Sequence, residues 1–409
     1  MSSHSAYPSR RKFLRRAAGA SASGAGVWGA GVSASGVWGF HANIASAAPT
    51  AKVIETRVIS QTPELYCGWP TLARRANGQL LLVYSGGRER HVCPFGRVDM
   101  MRSDDNGESW TWPRTLLDGP IDDRDAGVVE TSQGSILVTT FTSLAYESRL
   151  QEELEKRARQ ESDAWSEEHI RRWEAAHERL SAQQRQAELG QWMIRSTDGG
   201  VTWSARYRVM VDSPHGPIEL ANGRLLYAGQ KIWSDNKELA VCYSDDDGQT
   251  WNWLADLPTR SGDLQRNYHE LHVVETEDGQ LIMHIRNHNE ANKHETLQCE
   301  STDGGSTWST PHSIGVWGLP SHLTRLKDGR LLMSYGHRRP PYGNLARVSS
   351  DAGKTWSDPL TISSDGLVHD LGYPSTVQLD DGSLITIWYE KMFGSFKAVL
   401  RQAHWSLES

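Results

Sequence analysis

An all-β fold, a β-propeller of six blades, is predicted by two repeats running in phase and by one interruption in their spacing. The first repeat is the octapeptide Ser-x-Asp-x-Gly-x-(Ser/Thr)-Trp, at 103–110, 196–203, 244–251, 301–308 and 349–356. It joins a short acceptor side chain, an Asp suited to bonding local amides, a Gly free to take positive φ and an anchoring Trp. The second repeat is a pair of short apolar runs flanking a Gly-containing turn, at 72–84, 128–141, 218–228, 271–285, 323–335 and 376–388. The interruption lies between Ser103 and Ser196, an interval far longer than any other between neighbouring octapeptides.

Taken in order, residues 1–47 carry Arg10, Arg11, Lys12, Arg15 and Arg16 and no acid. Ser9, the paired arginines, Lys12, Phe13 and Leu14, then a weakly apolar run and Ala45, Ser46 and Ala47, read as a twin-arginine export signal with its cleavage site. Residues 48–409 are then the folded part, expected in the periplasm or outside the cell. Residues 53–60 are expected to supply the strand that closes the ring. Each later apolar pair reads as a β-hairpin, with turns such as Asn77-Gly78, Asn222-Gly223 and Asp328-Gly329. In five of the six the octapeptide follows on a third strand; the sixth lacks it.

The extra residues, about 147–190, are rich in Glu, Arg, Gln and Ala, with Trp165, Ile170 and Trp173 at helical spacing. Ser166 before Glu167 and Glu168 is a helix start and Gly190 a stop, which predicts a helical hairpin inserted in the second blade. It joins a second strand to a third, so it rises on the face where each blade's first strand begins. A lid there and a solvated decoration are both consistent with that placement.

Charge limits the partners. The net charge is −7 despite the basic first 47 residues, so nucleic acid and anionic membranes are not expected, and an anionic ligand would need a local basic pocket. No stretch after the signal is long and apolar enough to span a bilayer. The four cysteines, Cys67, Cys93, Cys242 and Cys299, lack metal spacing, while an oxidising compartment would permit a Cys67–Cys93 bridge. His269 and His272 lie three apart on a strand and should point to opposite sides, which argues against a metal site there; no cofactor is expected.

The chemistry collects on one face. Arg88, Glu89, Arg90 and His91, then Asp122, Asp123, Arg124 and Asp125, then His215, His269 and Glu270, Arg286 and His288, His322, His337, Arg338 and Arg339, and Asp370 and Tyr373 all fall there. Such a polar rim around an axis suits a hydroxyl-rich glycan.

The octapeptides resemble the Asp boxes of the sialidase (neuraminidase) superfamily, and the resemblance runs over nearly all of 48–409. Residues 213–229 and 268–287 are similar to the family's third- and fourth-blade segments, and Gly372-Tyr373-Pro374-Ser375 to its sixth. The resemblance implies Tyr373 as nucleophile, Glu270 as the carboxylate that polarises it, and Arg286 with Arg338 or Arg339 as arginines holding the substrate carboxylate. A neutral phenol suits a sugar whose anomeric carbon bears a carboxylate, which would repel a carboxylate nucleophile. A phenol of pKa near 10 then needs a base in contact.

Two positions depart from the family. Its first-blade Phe-Arg-Ile-Pro is here Cys67-Gly68-Trp69-Pro70, so an arginine is missing at Gly68, and Pro94 stands where the acid is expected. Arg88, Arg90 and Arg124 are the candidates to restore the charge, and Glu89, His91 and Asp123 to act as acid. His215 and His322 complete the candidate binding residues. The resemblance therefore implies an exo-acting glycoside hydrolase for sialic acid or a related acidic sugar. A hydrolase or lyase for uronic-acid-containing glycans and a non-catalytic glycan-binding propeller remain open beside it.

Overall fold

In a computed structural model, described over residues 48–391, 394–395 and 397–408, the chain closes on itself through its first strand. The export signal expected at 1–47 lies outside the described residues. Strand β1 (Thr50–Val58) pairs antiparallel with the last strand, β24 (Ala398–Glu408), whose other neighbour is β23 (Leu384–Lys391), followed by β22 (Leu371–Gln378). This is the sixth blade, and it joins the two ends of the folded region by backbone hydrogen bonds.

The described residues form six four-stranded sheets. Blade one holds β2 (Tyr66–Arg74), β3 (Leu80–Arg88), β4 (Arg97–Ser103) and β5 (Arg114–Leu117). Blade two holds β6 (Asp122–Glu130), β7 (Ile136–Ser143), β8 (Gln191–Ser196) and β9 (Tyr207–Arg208). Blade three holds β10 (Ile218–Glu219), β11 (Leu225–Gln230), β12 (Leu239–Ser244) and β13 (Asn252–Asp256). Blade four holds β14 (Tyr268–Glu275), β15 (Leu281–Asn287), β16 (Glu295–Ser301) and β17 (His312–Trp317). Blade five holds β18 (Ser321–Arg325), β19 (Leu331–His337), β20 (Tyr342–Ser349) and β21 (Leu360–Gly366).

Every predicted hairpin is present. The glycine of its turn has φ between 82° (Gly134, Gly279) and 89° (Gly78), which explains why glycine recurs there. The octapeptides behave as their composition implies. In the fourth blade Ser301 Oγ donates to Asp303 Oδ1 (2.8 Å) and accepts the Gly305 N–H (2.9 Å). The same carboxylate accepts the Thr307 hydroxyl (2.6 Å), and these bonds hold its pKa down at about 2. Neighbouring blades then pack apolar faces together. Leu81, Val83 and Met100 of blade one meet Val128, Ile136 and Val138 of blade two, all essentially dry.

The insertion between β7 and β8 contains three helices, not the two of a hairpin: α1 (Tyr146–Ala158), α2 (Glu167–Glu178) and α3 (Ala182–Glu188). Ser166 caps α2 as expected, and a Ser181/Gln184 capping box starts the third helix. The insertion sits on the loop between β3 and β4. Trp173 is fully buried, donates from Nε1 to Glu89 (2.9 Å) and packs with Tyr146 and Leu150 around Cys93. Cys93 is thereby separated from Cys67, which lies in the core shared by blades one and six, and all four cysteines are free. No helix among the described residues is long and apolar enough to cross a membrane.

Trp173→Ala should therefore loosen the insertion more than the propeller. Removing a buried Trp costs about 3–5 kcal/mol locally. Limited proteolysis should cut the variant within 146–188 and leave the remaining blades protected; cleavage spread over all blades would contradict this.

Candidate active site

A repeated irregularity of the innermost strands builds the site. In four blades the pairing of first with second strand slips, twice in blade one and once in each of the others, and a non-glycine residue with positive φ sits at a slip. They are Trp69 (51°), Asp125 (49°), Glu270 (42°) and Tyr373 (53°). Each is a β-bulge, which re-aims a side chain that regular pleating would bury between blades. A non-glycine residue held there costs about 1–3 kcal/mol, a strain that concentrates at functional sites. Nothing in the alternation of apolar and polar residues signals it.

Two of these residues form the centre. The Tyr373 hydroxyl donates to Glu270 Oε1 in a very short hydrogen bond. Arg286 Nη1 donates to Glu270 Oε2 (2.5 Å) and to the Tyr373 oxygen (3.1 Å), and its Nε donates to His288 (2.8 Å). Burial works against the Glu270 carboxylate, but the Arg286 charge and the Tyr373 hydroxyl outweigh it and hold its pKa below the usual value. Tyr373 is pushed well above 10, first by burial and then by the Glu270 charge. The resting state is thus a neutral phenol bonded to an ionised carboxylate, with a guanidinium against both. Arg338 completes this side. Its Nε donates to the Leu371 carbonyl (2.8 Å) and its guanidinium lies 5.8 Å from the Tyr373 ring centre.

The blade-one departures have a geometric counterpart. Gly68 immediately precedes the positive-φ residue of its strand, and a Cβ there would stand 2.9 Å from the Tyr66 ring. Arg124 holds the equivalent position in blade two, one residue before Asp125. Its guanidinium lies 4.6 Å from the centre of the ring of Trp69, the residue that follows Gly68. Arg88 is placed differently. It is wholly buried, bonded to both oxygens of Asp122 (2.5 and 3.0 Å) and to the carbonyls of His91 and Asp123.

The remaining sequence candidates scatter. Glu89 faces the insertion, bonded to Trp173 and paired with His169 (3.1 Å) and Arg172. Asp123 is wholly buried and accepts the Gly119 N–H (2.6 Å); burial lifts it to about 7. His91 receives the Tyr66 hydroxyl or donates to it (2.9 Å), lies 3.3 Å from Asp370 and sets its edge on Trp69. Arg339 stacks on Trp317 at 3.4 Å, outside the central group. Arg90 lies over Trp165 of the insertion. His215 and His322 are buried on the axis with His272, ring centres 4.5 to 5.1 Å apart, all neutral because burial drives their pKa values well down. Among the described residues no group of three or more His, Cys, Asp or Glu is arranged to hold a metal. A cavity of about 330 Å³ opens beside the centre between Tyr66, His91 and Asp370 on the propeller and Ala145, Ser148 and Arg149 on the insertion, so the insertion walls it.

Trp69 and Tyr389 have no place on the rim expected from the sequence, and Asp125 and Asp370 are on it without a role. Tyr389 donates to Asp370 (2.9 Å), and its ring lies tilted beside that of Tyr373, centres 5.9 Å apart. Their common signal is position relative to the hairpin turn, one blade compared with another.

Fold and centre together define a six-bladed propeller with a tyrosine–glutamate–arginine cluster on its axis. Residues 178–386 match the BNR repeat-like domain family, about half of the chain. The chain belongs to that family and, with its Asp boxes, to the sialidase superfamily. A relative named sialidase from Bacteroides fragilis (strain YCH46) is 26% identical over 271 residues, 62% of this chain and 45% of the relative. The chain thus spans less than half the length of that protein. Among solved structures, a Dyadobacter fermentans DSM 18053 protein of unknown function aligns with TM-score 0.69 and 22% identity, covering 88% of this chain and 99% of that one. The Hadza microbial sialidase Hz136 aligns at 0.59 with 19% identity over 84% and 66%. The NanB sialidase from Streptococcus pneumoniae aligns at 0.59 with 15% identity over 86% and 70%. At these identities the structures share the fold.

Arg88→Ala should destabilise the protein by about 3–5 kcal/mol, since it leaves Asp122 charged and buried without a partner. Urea unfolding checks this; a loss under about 1 kcal/mol would show that the pair is not structural.

Proposed function

We propose that the protein is an exo-acting glycoside hydrolase that releases terminal sialic acid, or a related acidic sugar, with retention of configuration. The observation that carries this reading is the contact of Tyr373, Glu270 and Arg286. Tyr373 attacks the anomeric carbon while its proton passes to Glu270, whose depressed pKa keeps it ionised and ready at neutral pH. The phenol suits this substrate class because it carries no charge to repel the sugar's carboxylate. Arg286, Arg338 and Arg124 hold that carboxylate, with Arg124 serving in place of the arginine missing at Gly68. The twin-arginine segment would deliver the enzyme, already folded, to the far side of the inner membrane.

The test is release of free sugar acid from a panel of sialosides of differing linkage by the purified protein. Release with the α-configured sugar appearing first by NMR supports the reading. No release from folded protein removes it, and turns attention to uronic-acid glycans and to plain glycan binding. Tyr373→Phe should lower turnover at least about a thousandfold with unfolding unchanged. Arg124→Ala should lower kcat/KM about ten- to hundredfold, the worth of one charge-assisted pair, chiefly through KM. An unchanged KM would exclude Arg124 from the carboxylate site.

A further inference from the structure

The hydrolase reading leaves one role unfilled, the donor of a proton to the departing sugar oxygen. Three candidates named from the sequence are engaged elsewhere: Glu89 with the helices of the insertion, Asp123 with the Gly119 amide, and His91 with Asp370 and Tyr66. Pro94 has no proton to give.

Blade two supplies another group. Asp125 occupies the same bulge position that Glu270 holds in blade four and Tyr373 in blade six, so the three side chains converge from three blades. Its N–H donates to Ser85 Oγ (2.9 Å), which fixes the backbone, and its residue is 8% exposed. Its Oδ1 is buried with no hydrogen-bond partner among the described residues. An aspartate held in strained backbone with a dry, unpartnered oxygen has no structural work that a smaller polar residue could not do.

The groups that face it are Arg124 on its own strand, Arg88 of β3, Glu270 of β14, Arg286 of β15, Tyr373 of β22 and Asp212 ahead of β10. Burial raises its pKa, Arg124 opposes, and the Glu270 charge adds to the rise, leaving it at about 7. Glu270 is pushed the other way, so two carboxyl groups in one site are split into a base and an acid, the arrangement acid–base catalysis requires.

We propose that Asp125 is the proton donor of this site, relocated from blade one to the bulge of blade two. The proposal rests on the hydrolase reading above. In the first step the Tyr373 oxygen bonds to the anomeric carbon and its proton moves to Glu270. The bond from that carbon to the leaving oxygen breaks, and the Asp125 proton goes to that oxygen. In the second step Asp125, now a carboxylate, takes a proton from water, and the water oxygen bonds to the anomeric carbon. The bond to Tyr373 breaks and Glu270 returns the phenolic proton. Both side chains end as they began.

Because the donor must be protonated, kcat/KM on an alkyl-type glycoside should fall as pH rises through about 7, the value at which Asp125 ionises. The experiment compares sialyllactose with methylumbelliferyl sialoside, whose aryloxide leaves without a proton. Asp125→Asn keeps the shape and tolerates the φ of 49°. It should lower kcat/KM on sialyllactose about a hundred- to ten-thousandfold, lower it under about tenfold on the aryl glycoside, and abolish the limb near pH 7. Asp125→Gly, which also fits that backbone, should regain turnover of the aryl glycoside with azide and yield the glycosyl azide. Equal losses on both substrates, or no loss on sialyllactose, would overturn Asp125 as donor and leave the hydrolase reading standing. Wild-type protein that cleaves neither substrate, while folded, would overturn both.

Discussion

The slip in the innermost strands is the constraint on which the site depends. A regular strand alternates its side chains between the two faces of a blade, and both faces are buried against neighbouring blades. Where the alternation is broken, a side chain is turned out of that pattern. Trp69, Asp125, Glu270 and Tyr373 are turned in this way with φ near 50°, held by ladder bonds on either side of the bulge. The strain is tolerable because the ring is closed by β1 against β24 and no blade can relax without its neighbours.

Around that axis the buried charges fall into two kinds. Arg88 and Asp122 neutralise one another completely, and the pair underpins the start of β6 beneath the rim. Glu270, Arg286 and Tyr373 also satisfy one another, but around a phenolic oxygen shared by a carboxylate and a guanidinium. In a dry site each such interaction is stronger than in water, and each unpaired group costs more. The neutral histidines His215, His272 and His322 fit that logic, filling the floor without adding charge to it.

Blade one departs from the Phe-Arg-Ile-Pro pattern at Cys67-Gly68-Trp69-Pro70, while the contact of Tyr373, Glu270 and Arg286 stays intact. The Tyr66 ring occupies the space beside Gly68, and the guanidinium of Arg124 comes from the next blade to lie over the neighbouring Trp69 ring. The loop that carries Glu89, His91 and Pro94 is taken over by the helical insertion, which buries Trp173 on it and walls the adjoining cavity. Residues that would face a ligand in an uncovered propeller become the insertion's foothold.

The sequence by itself determined the blades. Asp boxes and glycine turns are local motifs whose hydrogen bonds close within a few residues, so six hairpins, five octapeptides, the closing strand and the helical start at Ser166 were all legible. The partnership of Tyr373, Glu270 and Arg286 was legible only through resemblance, for the three are far apart in the chain. Tertiary structure alone decided the rest. Arg88 could not be told from Arg124 by residue type, yet one is buried against Asp122 and the other lies on Trp69. Glu89, Asp123 and Asp125 are alike as carboxylates, and only the insertion, the Gly119 amide and the bulge separate them. A bulge is a register slip between two strands, and register is a property of the pair that neither strand carries alone.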